Sequence, residues 1–329
     1  MYRLLFNILI LILGFIALVK GADWFVLGSS DVAKNLKVPS LIIGLTIVAF
    51  GTSAPELAVS LTAAIEGANE ISVSNVVGSN IFNILIVLGV CSTIKPLTVD
   101  KKILKRDMPI SLVITVFTLF ACINYAVLGK IDFQGFDVNE NVGMVHRWIG
   151  IVLLLGFSAY IYLLVRAGKN GNADDENTDS LPMIKCIGLI IIGLALIIAG
   201  GKFVVESAKE LARMAGMTET LIGVTIVAAG TSLPELVTSI VAARKGETGL
   251  AIGNVVGSNI FNLLFILGIS GTISPMAVNL ATITDFVIFI LCSILTYIFS
   301  RTSEKIVRWE GLTMVMLYIA YVGYAILRH

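Results

Sequence analysis

Long apolar runs separated by short polar stretches dominate the chain, and ten of them are long enough to cross a lipid bilayer. A membrane-spanning helix needs about 20 largely apolar residues. The ten runs cover residues 4–28, 40–66, 72–94, 106–127, 147–167, 183–206, 219–243, 250–272, 281–300 and 307–327. The pattern predicts an all-α integral membrane fold with ten transmembrane helices joined mostly by short loops.

Two segments within these runs occur twice, and both copies lie 179 positions further along the chain. Residues 44–60 read GLTIVAFGTSAPELAVS and residues 223–239 read GVTIVAAGTSLPELVTS, with 12 of 17 positions identical. Residues 75–89 read NVVGSNIFNILIVLG and residues 254–268 read NVVGSNIFNLLFILG, with 12 of 15 identical. The chain is therefore predicted to contain two copies of one unit, and the identities include Gly, Thr, Ser, Pro, Glu and Asn.

Each copy holds five spans, so the second copy is expected to enter the membrane from the opposite side as an inverted repeat. The predicted boundaries are 1–166 for the first five-helix repeat, 167–182 for an acidic linker and 183–329 for the second repeat. Lys and Arg concentrate in cytoplasmic loops. With Lys20 left within span 1, placing the loop after span 1 in the cytoplasm assigns 15 Lys and Arg to that side and 7 to the other. We therefore expect both termini outside and the linker in the cytoplasm.

The composition supports an integral membrane protein and excludes both a soluble globular domain and a disordered chain. Hydrophobic residues make up 57% of the 329 residues, charged residues only 14%, and the mean hydropathy is +0.95. Soluble domains carry about 25% charged residues, and disordered chains combine low hydrophobicity with high net charge. The net charge of +1 gives no reason to expect a nucleic-acid partner.

Span 2 carries polar residues in the middle of its apolar run, and span 7 repeats them. Glu56 falls near the expected bilayer midplane, where a carboxylate is costly unless it faces protein, water or an ion. Pro55 removes a backbone N–H and disturbs the carbonyl of Gly51, so the helices of spans 2 and 7 are predicted to be broken. Irregular backbone at this depth is tolerated where it is buried in protein or lines a cavity.

The spacing brings these groups together on matching helix faces. Thr52 and Glu56 are four residues apart, as are Ser79 and Asn83 on span 3. Thr231 with Glu235, and Ser258 with Asn262, repeat this spacing in the second copy. Oxygen-only donors suit Na⁺, Ca²⁺ or Mg²⁺. Two carboxylates would neutralise one Ca²⁺, and competition between Na⁺ and Ca²⁺ for one negative site would give antiport.

The paired GTS-x-PE and NVVGSNIFN segments resemble the α-repeats of the sodium/calcium exchangers, in the cation/calcium antiporter superfamily, over essentially the whole chain. The resemblance implies exchange of several Na⁺ for one Ca²⁺ by alternating access, in which spans 1 and 6 slide past the other eight. It implies that ions are bound by side chains of both repeats and by the carbonyls of Ala49 and Ala228. The implied side-chain ligands are Thr52, Ser53, Glu56, Ser79, Asn83, Thr231, Ser232, Glu235, Ser258 and Asn262.

Two departures from relatives shape these expectations. Asn262 stands where some relatives carry an acid associated with potassium co-transport, which argues against potassium dependence. Only a short segment joins the halves, where animal relatives carry a large regulatory insert. We therefore expect a prokaryotic type without regulatory domains, in the cell (inner) membrane. We expect no cofactor beyond the transported Na⁺ and Ca²⁺, no obligate protein partner and no enzymatic activity.

Other functions remain as alternatives. The nearest is an H⁺/Ca²⁺ antiporter, because buried carboxylates can also carry protons. A passive cation channel would pass Ca²⁺ without opposing Na⁺ flux. An intramembrane hydrolase using Ser53 or Ser232 is disfavoured, because the repeated segments contain neither His nor Lys and no GxSxG turn.

Overall fold

Helices form nearly all of the chain that the computed structural model describes, namely residues 2–67, 69–123, 141–169, 180–217 and 228–328. They are α1 Tyr2–Leu36, α2 Ser40–Thr52, α3 Ala54–Glu66, α4 69–94, α5 103–122, α6 Arg147–Lys169, α7 Met183–Met214, α8 Ala228–Gly230, α9 Leu233–Lys245, α10 Thr248–Ile273, α11 Leu280–Ser303 and α12 Arg308–Leu327. Most of the predicted acidic linker, the first part of predicted span 7 and His329 lie outside the described residues.

Several of these helices have the length and composition that a membrane crossing requires. Within the described ranges, seven qualify singly: α1, α4, α6, α7, α10, α11 and α12. The pair α2 and α3 passes the same test together and is bent by 49° at the single residue between them, which gives eight. The chain is therefore a multi-pass helical membrane protein, as the apolar runs predict.

The helices differ in how much of their surface other helices cover. Every side chain of α10 from Leu250 to Phe261 is buried. By contrast, α1, α6, α7 and α12 expose large apolar side chains over much of their length. Exposed apolar surface of this extent is what a lipid-facing helix presents. The buried α10 and α4 thus form the centre of the fold, and they carry the two NVVGSNIFN segments.

The lipid-exposed helices α1 and α7 pack against each other through glycines at seven-residue intervals. A Cβ on Gly21 would lie 2.7 Å from the carbonyl oxygen of Gly193, and a Cβ on Gly200 would lie 2.7 Å from that of Gly14. The partner numbers fall as the α1 numbers rise, so the two helices run antiparallel. Small residues let helix backbones approach closely in membranes, and α1 and α7 consequently pack as a pair.

Two short antiparallel strand pairs join loops of the two halves, and the apolar pattern does not predict them. β1 (Leu97–Thr98) pairs with β4 (Lys305–Ile306), and β2 (Asn141–Val145) pairs with β3 (Met276–Asn279). Each pair therefore joins one strand from residues 1–166 to one from residues 183–329. The strands are too short to give a period-two signal in the sequence.

Among the described residues, four helices contain π-helical turns, which begin at Gly44, Asn83, Ile103 and Asn262. The turn over Ile103–Asp107 accompanies a length difference between the halves. Asp107 follows Pro96 by eleven residues, whereas Asp285 follows Pro275, the equivalent proline, by ten. A π-helical turn adds one residue without ending the helix, so Asp107 and Asp285 occupy equivalent places in α5 and α11.

Candidate cation site

Two matching helix breaks position the two buried glutamates. The first break is at Ser53, with φ −81° and ψ 9°, and the second reaches Ser232, with φ −91° and ψ 8°. Pro55 and Pro234 lie in the first turns of α3 and α9, where a missing N–H costs nothing. The carboxylates that follow them also lie in those first turns, where the positive end of the helix dipole stabilises negative charge.

Each glutamate is held by a serine from the opposite half of the chain. Ser53 Oγ donates a 2.8 Å hydrogen bond to Glu235 Oε1, and Ser232 Oγ donates a 2.8 Å hydrogen bond to Glu56 Oε1. Both carboxylates are fully buried, and they lie near enough to repel each other when both are charged. The crossed serine contacts therefore bring the two breaks together into one site.

Four asparagines on α4 and α10 connect the helices beside this site. Asn80 Nδ2 donates to the carbonyl oxygen of Asn259 at 3.2 Å, and Asn259 Nδ2 donates to that of Asn80 at 3.3 Å. Asn83 Nδ2 donates to Asn259 Oδ1 at 3.2 Å, and Asn262 Nδ2 donates to Asn80 Oδ1 at 3.0 Å. Each amide nitrogen is used in a helix contact, which fixes the orientation of the amide oxygens of Asn83 and Asn262.

Another pair of asparagines attaches these helices to the helices that carry the glutamates. Asn75 Nδ2 donates to Ser60 Oγ at 3.0 Å and to the Glu56 carbonyl oxygen at 3.4 Å. Asn254 Nδ2 makes the same two contacts, to Ser239 Oγ at 3.0 Å and to the Glu235 carbonyl oxygen at 3.4 Å. The backbone of each glutamate is thereby fixed from the neighbouring repeated segment.

Several oxygens of this cluster remain available for a ligand. Buried polar atoms in proteins are nearly always paired. Among the described residues no hydrogen-bond partner is found for the buried atoms Glu56 Oε2, Glu235 Oε2, Ser79 Oγ, Asn83 Oδ1 and Asn262 Oδ1. All five are oxygens, and all belong to residues that the sequence pattern predicts as ligands. Hard oxygen donors of this kind suit Na⁺ and Ca²⁺.

The remaining predicted residues lie around the same carboxylates. Thr52 Oγ1 contacts the Val48 carbonyl oxygen and Asn254 Oδ1, both at 3.0 Å, and Ser258 Oγ donates to the Ala49 carbonyl oxygen at 3.5 Å. Thr231 lies beside the Glu56 carboxylate, and Ser258 lies beside that of Glu235. Ala228 begins the short helix α8, and its side chain lies outside the described part of the structure.

The structure adds residues that the sequence argument does not single out. Asn80 and Asn259 lie inside the repeated NVVGSNIFN segments, but their role depends on contact between equivalent residues across the two halves, which spacing alone cannot reveal.

The sequence also contains a third, shorter repeated pattern, which places two equivalent tyrosines. Residues 147–150 read RWIG and residues 308–311 read RWEG, and each is followed ten residues later by an Ala-Tyr pair ending in Tyr160 or Tyr321.

Comparison with known proteins identifies relatives over nearly the full length. The family model described as "Sodium/calcium exchanger protein" matches residues 6–166 and 185–327. The sodium/calcium exchanger MaX1 of Methanosarcina acetivorans is 37% identical, with 96% of this chain and 97% of that protein covered. A putative antiporter, CaxA of Alkalimonas amylolytica, is 36% identical, with 95% of each chain covered.

A solved structure shares the fold. The sodium-calcium exchanger NCX_Mj, soaked with 10 mM Na⁺ and 10 mM Sr²⁺, matches with a TM-score of 0.80 and 33% sequence identity. The match covers 97% of this chain and 98% of that one. Both matched stretches of the family model contain a GTS-x-PE segment and an NVVGSNIFN segment, so the similarity includes the candidate site.

Proposed function

We propose that this chain, which belongs to the sodium/calcium exchanger family, is a secondary antiporter that exchanges Na⁺ for Ca²⁺ at the crossed-glutamate site. One observation carries the proposal. Glu56 and Glu235 are fully buried, and each uses one carboxylate oxygen for a serine of the other half. Among the described residues, no hydrogen-bond partner is found for the second oxygen of either carboxylate.

The charge of the site supports cations as its ligands. Within the described residues, neither glutamate forms an ion pair with a Lys, Arg or His. Two adjacent buried carboxylates without a basic partner are costly unless protons or metal ions neutralise them. One Ca²⁺ balances both charges, and Na⁺ ions binding the same oxygens would compete with it. This competition supplies the coupling that antiport requires.

The proposed ligand set is the one that the repeated segments and the family resemblance give. Ca²⁺ takes 6–8 oxygens in flexible geometry, and the two repeats supply carboxylate, hydroxyl, amide and backbone oxygens in equal measure. The set is Ala49, Thr52, Ser53, Glu56, Ser79, Asn83, Ala228, Thr231, Ser232, Glu235, Ser258 and Asn262, with the alanines contributing their carbonyls.

We also propose that the chain forms ten spans in two inverted repeats, 1–166 and 183–329. Reciprocal contacts between residues 179 positions apart support this arrangement, above all the Asn80–Asn259 pair. The antiparallel pairing of α1 with α7, the first helices of the two repeats, supports it as well. In this proposal α1 and α7 move together past the remaining helices, so that the site opens to one side of the membrane at a time.

Flux measurements in vesicles test the coupling. The purified protein in sealed vesicles should take up Ca²⁺ when an outward Na⁺ gradient is imposed at clamped pH, and reversing the gradient should reverse the flux. Uptake driven by a pH gradient alone would support the H⁺/Ca²⁺ alternative and overturn Na⁺ coupling. Ca²⁺ entry without any opposing Na⁺ flux would indicate a channel.

Charge-neutralising variants test the site in the same vesicles. Glu56→Gln and Glu235→Gln keep the side-chain shape, and each should reduce Ca²⁺ uptake below about a tenth of wild type, because ligand charge sets Ca²⁺ affinity. Glu66→Gln is the matched control for the first variant, since Glu66 is an exposed glutamate at the end of the same helix, α3. Full uptake by both buried variants would place the ion elsewhere.

A further inference from the structure

A partly polar cavity lies against the candidate site, between α4, α11 and α12. Its volume is about 200 Å³. Along α4 it is lined by Ser74, Asn75, Gly78 and Ser79, and on the other two helices mainly by Asp285, Tyr321 and Arg328. Ser79 is a proposed ion ligand whose buried hydroxyl has no partner among the described residues. The cavity therefore reaches Ser79, one residue of the proposed site.

A bidentate ion pair forms part of the lining of this cavity. Arg328 Nη1 and Nη2 contact Asp285 Oδ1 and Oδ2, both at 2.7 Å, and Nη1 also donates to the Ala281 carbonyl oxygen at 3.3 Å. The two side chains are only 10% and 9% exposed. Asp285 lies in the second turn of α11, and Arg328 directly follows the end of α12, so the pair lies where both helices reach one membrane face.

The equivalent aspartate of the first half has a different arrangement. Asp107 pairs with Arg106, its neighbour in sequence, with Nε 2.9 Å from Oδ1, and it accepts a 3.2 Å hydrogen bond from Tyr160. Both residues lie on α5, so movement of one helix against another does not separate this pair. Arg328 instead reaches Asp285 from another helix, so a shift of the end of α12 would separate them. The cavity beside Tyr160 is also almost wholly apolar, with Phe50, Phe157 and Phe261 in its lining.

We propose that the cavity between α4, α11 and α12 is a cation entry vestibule in which Asp285 is the attracting carboxylate and Arg328 its removable counter-ion. With Arg328 in place the pair is neutral and the vestibule attracts no cation. With Arg328 displaced, one negative charge within low-dielectric walls concentrates hydrated Na⁺ or Ca²⁺ near Ser79. This inference rests on the proposed function, because it takes Ser79 as an ion ligand.

Cysteine accessibility tests the vestibule without disturbing the ion pair. Val322 lines the cavity on α12, whereas Ile319 on the same helix is 58% exposed on its outer surface. A cationic methanethiosulfonate added from the side of the C-terminus should modify Val322→Cys at least tenfold faster than Ile319→Cys and should inhibit Ca²⁺ uptake. The native cysteines are buried, and wild-type protein gives the background rate. Equal modification rates, or modification without inhibition, would overturn the proposal.

Charge variants test the role of the pair through the Ca²⁺ concentration that gives half-maximal uptake from that side. Arg328→Gln leaves Asp285 charged and should lower this concentration about threefold, while Asp285→Asn leaves Arg328 charged and should raise it about threefold. The double variant should return near wild type. Asp107→Asn, which removes the equivalent aspartate, should leave the value unchanged. If both single variants change it in the same direction, the pair is only a structural contact and the proposal fails.

The outcomes separate this inference from the proposed function. If Glu56→Gln abolishes uptake but Val322→Cys is unreactive, the site stands and the vestibule is wrong. If Glu56→Gln and Glu235→Gln both transport normally, the site itself is wrong, whatever the accessibility of the cavity.

Discussion

At the scale of single residues, the site is organised by contacts between the halves rather than within them. Each glutamate accepts its serine hydrogen bond from the other half, and each of Asn83 and Asn262 donates to the other repeat. Neither half alone therefore holds its own carboxylate or amide in place. Substitutions at equivalent positions are expected to have similar effects.

Removing the crossed hydrogen bonds should weaken Ca²⁺ binding without abolishing it. A hydrogen bond to a charged group contributes about 1.5–3 kcal/mol, so Ser53→Ala and Ser232→Ala should each raise the half-saturating Ca²⁺ concentration by roughly tenfold or more. Ca²⁺ uptake by vesicles at graded Ca²⁺ concentrations measures this. Ser158→Ala is the control, because the hydrogen bond that Ser158 makes in the described part of the chain goes to a carbonyl of its own helix. A large effect at one serine and none at the other would contradict the reciprocal arrangement.

An acid at position 262 should change which cations the site accepts. Asn262→Asp adds a negative charge and replaces the amide that donates to Asn80 Oδ1. We expect altered competition between Ca²⁺, Na⁺ and K⁺, together with a loss of stability of about 1–3 kcal/mol. Ca²⁺ uptake with and without K⁺ measures the first, and thermal unfolding in detergent the second. Asn83→Asp is the comparison in the other half. An ion profile identical to wild type would show that position 262 does not contact the ions.

At the scale of helices, the apolar pattern predicts where the membrane-spanning helices lie in the sequence, and the polar motifs predict where they break. The break after α2 falls within the GTS-x-PE segment, as Pro55 predicts, and the bend of 49° follows from it. The π-helical turns at Asn83 and Asn262 were not predictable, because the hydrophobic spacing of one wide turn differs too little from that of an α-helix. Both turns begin at equivalent asparagines of the two NVVGSNIFN segments.

The glycine contacts between α1 and α7 give a test at this scale. Gly193→Ala would place a Cβ 2.7 Å from the carbonyl oxygen of Gly21, so it should force the two helices apart and destabilise the protein by about 1–3 kcal/mol. Gly188→Ala is the control on the same helix, since a Cβ there meets no described atom within 4 Å. Melting temperatures in detergent compare the two. Equal melting temperatures would show that the contact is looser than described.

At the scale of the whole molecule, the distribution of Lys and Arg leads us to propose that both termini are outside and the central linker is cytoplasmic. In bacteria, alkaline phosphatase fused after residue 329 should be active, and the same enzyme inserted between residues 174 and 175 should be inactive. Green fluorescent protein at the same two places should give the opposite pattern. Fluorescence from the C-terminal fusion would reverse the assigned orientation.

The sequence predicts the overall architecture of this molecule better than it predicts individual contacts between distant residues. The family, the multi-pass helical fold and the break within the first GTS-x-PE segment follow from apolar runs and two repeated motifs. The Asp285–Arg328 pair does not, because it joins residues 43 positions apart on helices whose mutual approach no local pattern encodes. The strand pairs between the halves were hidden for the same reason.

The wide turn over Ile103–Asp107 bears on how two duplicated segments diverge. An insertion in a regular helix rotates everything beyond it by about 100°, which would carry Asp107 away from Tyr160. Because a bulge takes up the surplus residue, the downstream register is preserved and the gene copies need not keep the same length. The common ancestry of the two halves can therefore be recognised from the equivalent places of residues in the structure, even where the two sequences no longer align.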